Sequence, residues 1–139
     1  MEVFFLCSLI MIDIDDDLFL DIVNEAFLSI PERFRNEMEN VDIKVVDKPS
    51  ASQLKRLNVG GLFGLFEGVP KTALGQTYFG VQPSKITIFK DPLVKYAKDL
   101  DVLKIKVRQV LMHEVAHYFG YSEDDMTVLD ERFVRRYFE

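Results

Sequence analysis

The chain has 139 residues, of which 48% are hydrophobic and 29% are charged, and its net charge at pH 7 is −6. A chain of this length buries about two thirds of its unfolded surface when it folds, so we expect one domain over residues 1–139. The acidic balance argues against binding to nucleic acid or to an anionic membrane surface. A lone cysteine, Cys7, excludes a disulfide within one chain.

The first twelve residues are largely apolar and could be mistaken for a signal peptide. They lack a basic n-region and a small-x-small cleavage site, and they are too short to span a bilayer. Two interpretations remain open. The segment is an apolar strand or arm, or residues 1–10 are an over-called extension before a natural start at Met11. Neither interpretation exports the protein, and we expect it in the cytoplasm.

The next third of the chain predicts helices followed by a strand. Aspartates at 15–17 favour a helix start, and apolar residues at helical spacing continue to about residue 29. Pro31 opens a short helical turn that extends to about Met38. Apolar and charged residues then alternate over residues 41–45, which is typical of a half-buried strand.

Residues 58–83 contain six of the seven glycines and no phosphate-binding pattern. We predict a strand over residues 62–67 and another over 77–81, with loops where the glycines fall. Residues 85–89 read Lys-Ile-Thr-Ile-Phe and predict a further strand, and the Asp-Pro pair at 91–92 opens a helix.

Both histidines of the chain fall in the sequence His-Glu-Val-Ala-His at residues 113–117. We expect this sequence on a buried helix over residues 102–119, with Asp101 as its cap. Residues four apart on a helix are offset by about 40°, so His113 and His117 point towards one ion. Glu114 lies about 100° around the axis, where it can contact a metal-bound water. This H-E-x-x-H pattern is typical of zinc-dependent peptidases.

The residues after the motif offer a third zinc ligand. Gly120 tolerates the left-handed conformation that ends a helix and turns the chain back towards the motif. Glu123 then stands at the third-ligand position of the longer pattern H-E-x-x-H-x-x-G-x-x-H, and a carboxylate is an acceptable zinc ligand. The neighbouring Asp124 is the alternative, and Glu131 is a fallback from a later helix.

A second use for Glu123 follows from the residues around it. Ser122 and Asp125 predict a capping box that opens a last helix over about residues 123–138. If Glu123 begins that helix, its carboxylate can stabilise the helix dipole in place of a metal ion. The sequence leaves both uses open.

These motifs resemble the bacterial minimal zincin family of zinc metallopeptidases. The resemblance rests mainly on residues 113–123, and it extends to the segment Leu-Phe-Gly-Leu-Phe-Glu-Gly-Val-Pro at 62–70 and to the strand at 85–89. It implies an α+β fold in a single domain, with a small mixed sheet packed against helices that include the H-E-x-x-H helix. It also implies that one sheet edge within residues 62–89 pairs with an extended substrate.

The same resemblance implies residue roles. His113, His117 and Glu123 match the metal-ligand positions, and Glu114 matches the catalytic base. Family members more often carry aspartate where this chain has Glu123, so either Glu123 or Asp124 is the third ligand. The expected cofactor is Zn²⁺.

We therefore expect a zinc metallopeptidase that hydrolyses peptide bonds with a zinc-activated water and a glutamate general base. Its expected partner is a peptide or protein substrate, and oligomeric state, cleavage specificity and physiological role stay open. Tyr118, Tyr121 and Tyr78 are candidates to stabilise an oxyanion, although packing roles are favoured for each. Two alternatives are a zinc-binding interaction protein without activity and, less favoured, a zinc endoribonuclease of rRNA maturation.

Overall fold

The computed structural model describes residues 12–69 and 83–125. In chain order, its elements are α1 (Asp16–Leu28), α2 (Glu32–Arg35), β1 (Val41–Val46), α3 (Ala51–Leu57), β2 (Gly64–Glu67), β3 (Ser84–Phe89), α4 (Lys90–Tyr96) and α5 (Leu100–Tyr118). The predicted strand at 77–81, the apolar segment before residue 12 and the last helix beyond residue 125 lie outside the described residues. Among the described helices, none is both long and apolar enough to cross a membrane.

The three strands form one mixed sheet in the order β1-β3-β2. β1 pairs with β3 in parallel, with Val41 opposite Ser84, and β2 pairs with β3 antiparallel, with Gly64 opposite Ile88. The central strand β3 is buried along almost its whole length, as its run of apolar and β-branched residues requires. A small mixed sheet packed with helices confirms the predicted α+β fold.

Helix α5 is the element around which the core is built. It packs against β2, β3, α1 and α4, and Leu103, Val107 and Leu111 along its inner face are fully buried. Burying each such side chain contributes about 1.5–3 kcal/mol. Helix α1 adds its own apolar stripe from Phe19 to Ala26. The helix that carries the H-E-x-x-H motif is therefore held along its length by the core.

The start of α5 differs from the prediction. Asp99, not Asp101, is the N-cap, and its carboxylate accepts a hydrogen bond of 2.8 Å from the backbone N–H of Val102. Asp99 is in the extended conformation that a cap adopts, whereas Asp101 already lies in the first helical turn. The prediction of Asp101 as the cap, with a helix beginning at Val102, is therefore wrong by two residues.

The prediction also missed helix α3. Its signal was present as a capping box, in which Ser50 accepts from the backbone of Gln53 and the side chain of Gln53 accepts from the backbone of Ser50. The helix ends at Asn58, which adopts the left-handed conformation with φ 55°. Helix α3 has no buried residue, so it lacks the apolar periodicity by which helices are usually recognised.

We expect Asp99→Ala to lower the free energy of unfolding by about 1 kcal/mol, because it removes the cap of the helix that carries the site. Asp101→Ala is the matched control. It loses an interaction with the helix dipole but gains helix propensity, so the two effects nearly cancel. Urea unfolding of both variants measures the difference, and equal destabilisation by the two would contradict the assignment of the cap.

Candidate metal centre

The last two turns of α5 bring both histidines together with the glutamate between them. One potential ligand atom from each of His113, Glu114 and His117 lies within 4.8 Å of the others. The two imidazole rings have their centroids 4.9 Å apart and are inclined by 73°. The helical spacing of the motif thus produces the convergence of ring nitrogens that the sequence predicts.

The end of α5 orients one of these rings. Gly120 adopts φ 94°, and the backbone N–H groups of Gly120 and Tyr121 close the helix by donating to the carbonyls of His117 and Ala116. The turned chain places the carbonyl oxygen of Tyr121 3.0 Å from Nδ1 of His117. Because a carbonyl can only accept, Nδ1 carries the proton, and in the neutral ring the lone pair is left on Nε2. A backbone partner of this kind is how a metal-binding histidine is usually oriented.

Glu123 faces the two ring nitrogens from beyond the turn. Its Oε1 lies 2.8 Å from Nε2 of His117, and its Oε2 lies 3.8 Å from Nε2 of His113. Two ligands of a tetrahedral zinc ion at 2.0–2.1 Å are about 3.3 Å apart, so these two separations bracket the value expected for a shared ion. Asp124 is exposed, and no ion pair joins it to either imidazole within the described residues. Glu123 does not belong to the tight group of three, but its carboxylate faces Nε2 of both rings.

The predicted capping box is present, and it leaves the carboxylate of Glu123 outside the cap. The carboxylate of Asp125 accepts from the backbone N–H and the hydroxyl of Ser122, and the Ser122 hydroxyl accepts in return from the backbone of Asp125. These hydrogen bonds hold the pKa of Asp125 below its usual value. Residues 123–125 begin a helix, so Glu123 stands in a first helical turn and also contacts the imidazoles. The two uses of Glu123 are compatible.

Glu114 is held on the inner side of α5, with only 7% of its surface exposed. Burial raises the pKa of Glu114, and the neighbouring His113 and His117 and a hydrogen bond from the backbone N–H of Phe66 oppose that rise. Its Oε2 is buried and has no hydrogen-bond partner in the described structure. A buried carboxylate oxygen without a partner, beside two imidazole nitrogens, is a donor set that fits a bound cation and its water.

Strand β2 approaches α5 closely because residue 64 is glycine. A Cβ atom built on Gly64 would lie 2.7 Å from Cγ1 of Val110 and 3.3 Å from Cγ of Glu114. This close approach brings the backbone N–H of Phe66 to the carboxylate of Glu114. The sequence pattern alone does not assign Gly64 or Phe66 to the site, although a glycine within a strand pattern is a recognised sign of close backbone approach.

The outer edge of β2 faces the site. Phe63 accepts a backbone hydrogen bond of 2.9 Å from Phe89. Since hydrogen-bonded pairs alternate along antiparallel strands, the backbone groups of Gly64 and Phe66 point away from β3. They face a groove of about 690 Å³ that runs between β2 and α5 and reaches His113, His117 and Glu123. Of the described strands within residues 62–89, β2 is the one that lines this groove.

Two of the three tyrosine candidates lie in different environments. Tyr118 is buried, stacks edge-on against Phe66, and its hydroxyl donates to the carbonyl of Glu37 at 3.4 Å. It is a packing residue, as favoured from the sequence. Tyr121 lines the groove and is half exposed. Tyr78 and Glu131 lie outside the described residues.

We expect Gly64→Ala to destabilise the protein by about 1–3 kcal/mol, because the added methyl group must displace Val110 or the stem of Glu114. Gly61→Ala is the control, since a Cβ there meets nothing within 4 Å. Thermal unfolding of the two variants tests the contact. A Gly64→Ala protein as stable as Gly61→Ala would mean that β2 and α5 are not held this closely.

A search of curated proteins finds no match. The family model described as zincin-like metallopeptidase matches residues 38–132, which include all three strands, α5 and the H-E-x-x-H motif. That match covers more than half of the 139 residues. The chain belongs to the zincin-like metallopeptidase family.

Proposed function

We propose that this protein is a zinc-dependent peptidase in which His113, His117 and Glu123 hold the metal and Glu114 is the general base. The observation that carries the proposal is the position of Glu114. It is buried, fixed by the backbone of Phe66, and has one oxygen without a partner beside the two imidazoles. A general base must keep an oxygen for the proton it accepts, and the buried Oε2 of Glu114 meets this requirement.

The contacts at the end of α5 support the proposed metal-holding roles. His117 is oriented by the carbonyl of Tyr121, and Glu123 faces the Nε2 atoms of both rings. Two nitrogens and one carboxylate oxygen are a ligand set of catalytic zinc sites, which keep a fourth position open. When bound, zinc supplies Lewis-acid polarisation of a carbonyl group and lowers the pKa of water towards about 7.

Glu114 would accept a proton from the attacking water and deliver it to the leaving amine. Burial raises its pKa above the usual value for a carboxyl group, which makes it a stronger base than an exposed glutamate. The hydrogen bond from Phe66 occupies one side of the carboxylate and limits its rotation. A fixed base of this kind contributes about 10²–10⁴-fold to a rate.

Strand β2 provides the binding surface for an extended peptide. The backbone N–H and C=O of Gly64 and the C=O of Phe66 point towards the groove, so a peptide strand can pair with them. The N–H of Phe66 serves Glu114 instead. Backbone pairing along β2 would bring a peptide bond to the side of α5 that carries Glu114 and the histidines.

We expect one zinc ion per chain, removable by a chelator, in protein purified without a histidine tag. His117→Ala should lower zinc affinity by more than about 100-fold, the upper end of the effect for residues that only orient a ligand. Elemental analysis and competition with a chromophoric chelator measure both quantities. Absence of zinc after reconstitution near neutral pH would contradict the proposal.

The matched variants Glu123→Ala and Asp124→Ala test which carboxylate is the third zinc ligand, with the same measurement of zinc affinity. Of these two carboxylates, it is Glu123 that faces the Nε2 atoms of both histidines, so its replacement should weaken zinc binding while Asp124→Ala leaves it nearly unchanged. Equal affinity of the two variants would remove Glu123 from the ligand set.

We expect Glu114→Gln to keep zinc and the fold but to lose peptide hydrolysis by at least about 10²-fold, since an amide of the same shape cannot accept the proton. Hydrolysis of unstructured peptides by zinc-loaded protein, with zinc content measured in parallel, provides the test. Equal turnover by wild type and variant would exclude Glu114 as the base. A zinc-loaded wild type that cleaves no peptide of a broad library would favour a zinc-binding protein without activity.

A further inference from the structure

Strand β1 is the sheet edge opposite the one that lines the candidate metal centre, and it borders an apolar groove. The groove has a volume of about 340 Å³ and lies between β1 and α1. The described residues that line it are all uncharged: Leu20, Val23, Asn24, Phe27, Met38, Val41, Ile43 and Val45. Leu20 is 50% exposed, so water reaches this apolar wall. An open apolar groove beside a sheet edge is typical of a surface that binds another protein chain.

The backbone of β1 has a side that β3 does not use. The C=O of Asn40 accepts a hydrogen bond from the N–H of Ser84, at the start of β3. Since the direction of the backbone groups alternates along a strand, the N–H and C=O groups of Val41, Ile43 and Val45 point away from β3. In the part of the chain that the structure describes, no strand pairs with this side of β1. Another strand can therefore be added there by backbone hydrogen bonds.

The side chains on the other face of β1 indicate which strand fits. Asp42 and Lys44 alternate with the groove residues, and both are exposed. If β1 pairs antiparallel with β1 of a second copy, centred on Ile43, then Asp42 of each copy lies opposite Lys44 of the other. Opposite charges at directly facing positions stabilise a strand pair, and like charges destabilise it. A centre at Asp42 or at Lys44 would bring two like charges together, so the charges favour the register centred on Ile43.

The same register suits the backbone and the groove. Ile43 is one of the residues whose backbone groups point outwards, so it pairs with Ile43 of the second copy, and Val41 pairs with Val45 on either side. The two-fold axis of such a pair is perpendicular to the sheet, so α1 of both copies lies on the same face. The two apolar grooves then adjoin across the axis, and each removes apolar surface of the other from water.

We infer that β1 is a dimerisation surface, on which β1 of a second copy of this chain pairs in antiparallel register centred on Ile43. The two three-stranded sheets join into one continuous sheet, with both copies of β1 at its centre and β2 at either outer edge. The groove between β2 and α5 stays open in both copies, because it lies at the opposite edge of each sheet. The inference therefore goes beyond the proposed function and does not depend on it.

The test reverses the charges on β1 in the full chain and measures the monomer–dimer equilibrium by sedimentation velocity over a range of protein concentrations. We expect wild type to dimerise as its concentration rises. Asp42→Lys places lysine opposite lysine, and Lys44→Asp places aspartate opposite aspartate, each twice because of the symmetry. Each variant should therefore dimerise at least about tenfold more weakly than wild type. The control Lys98→Asp makes the same change of charge at an exposed position between α4 and α5, and it should leave the equilibrium unchanged.

A mixture of the two variants distinguishes lost charge pairing from a folding defect. In a dimer of unlike chains, one strand has lysine at both positions and the other has aspartate at both, so opposite charges face each other again. We expect the equimolar mixture to recover dimerisation close to that of wild type, with one variant fluorescently labelled to detect the mixed dimer. The double variant Asp42→Lys/Lys44→Asp should recover dimerisation within a single protein, because it exchanges the two charges.

Every outcome supports or overturns this surface. A wild type that stays monomeric at all concentrations overturns the inference and leaves the edge to another occupant, such as the apolar residues 1–10 or a different protein. A dimer that both charge reversals leave intact, or a mixture that stays monomeric, overturns the pairing through β1. Weakened dimerisation of each variant with recovery in the mixture supports it, whether or not the protein cleaves peptides.

Discussion

The close contact between β2 and α5 at Gly64 is the constraint on which the site depends. Any side chain there would meet Val110 and Glu114, so only glycine lets the strand lie directly against the helix. With the two backbones this close, the N–H of Phe66 reaches the carboxylate of Glu114 and fixes its position. The same contact leaves the outer edge of β2 facing the groove. The absence of a side chain at Gly64 thereby allows the proposed base to contact the proposed substrate-binding strand.

The proposed metal site depends on a second local feature, the closure of α5. The positive φ of Gly120 turns the chain so that the carbonyl of Tyr121 reaches Nδ1 of His117 and the carboxylate of Glu123 faces Nε2 of both histidines. Both events follow from a single turn, because the residues after Gly120 can approach the helix only once it has ended. The Ser122–Asp125 capping box then stabilises the turn without using the carboxylate of Glu123.

The two ends of the site differ in how they are held. Glu114 lies in the core, where burial and a backbone hydrogen bond restrict it, while the side chain of Glu123 is 78% exposed and reached through a surface turn. A base must be positioned accurately, which a buried helix face provides. A carboxylate on a surface turn can adjust its position when an ion binds. Rigidity at the proposed base and freedom at one proposed ligand therefore come from different parts of the chain.

The sequence by itself determined the local features of this protein. Helical spacing is enough to make His113 and His117 converge, and residue patterns are enough to identify α1, β1, β3 and the capping box at Ser122, because each depends on neighbours within a few residues. The cap of α5 was misplaced by two residues and α3 was missed, since neighbouring aspartates compete for one cap and α3 has no buried stripe. Tertiary structure alone decided that β2 is the strand beside α5 and that Phe66 fixes Glu114. These contacts join residues far apart in the chain, and their partners are chosen by how the sheet packs against the helix, which no local pattern specifies.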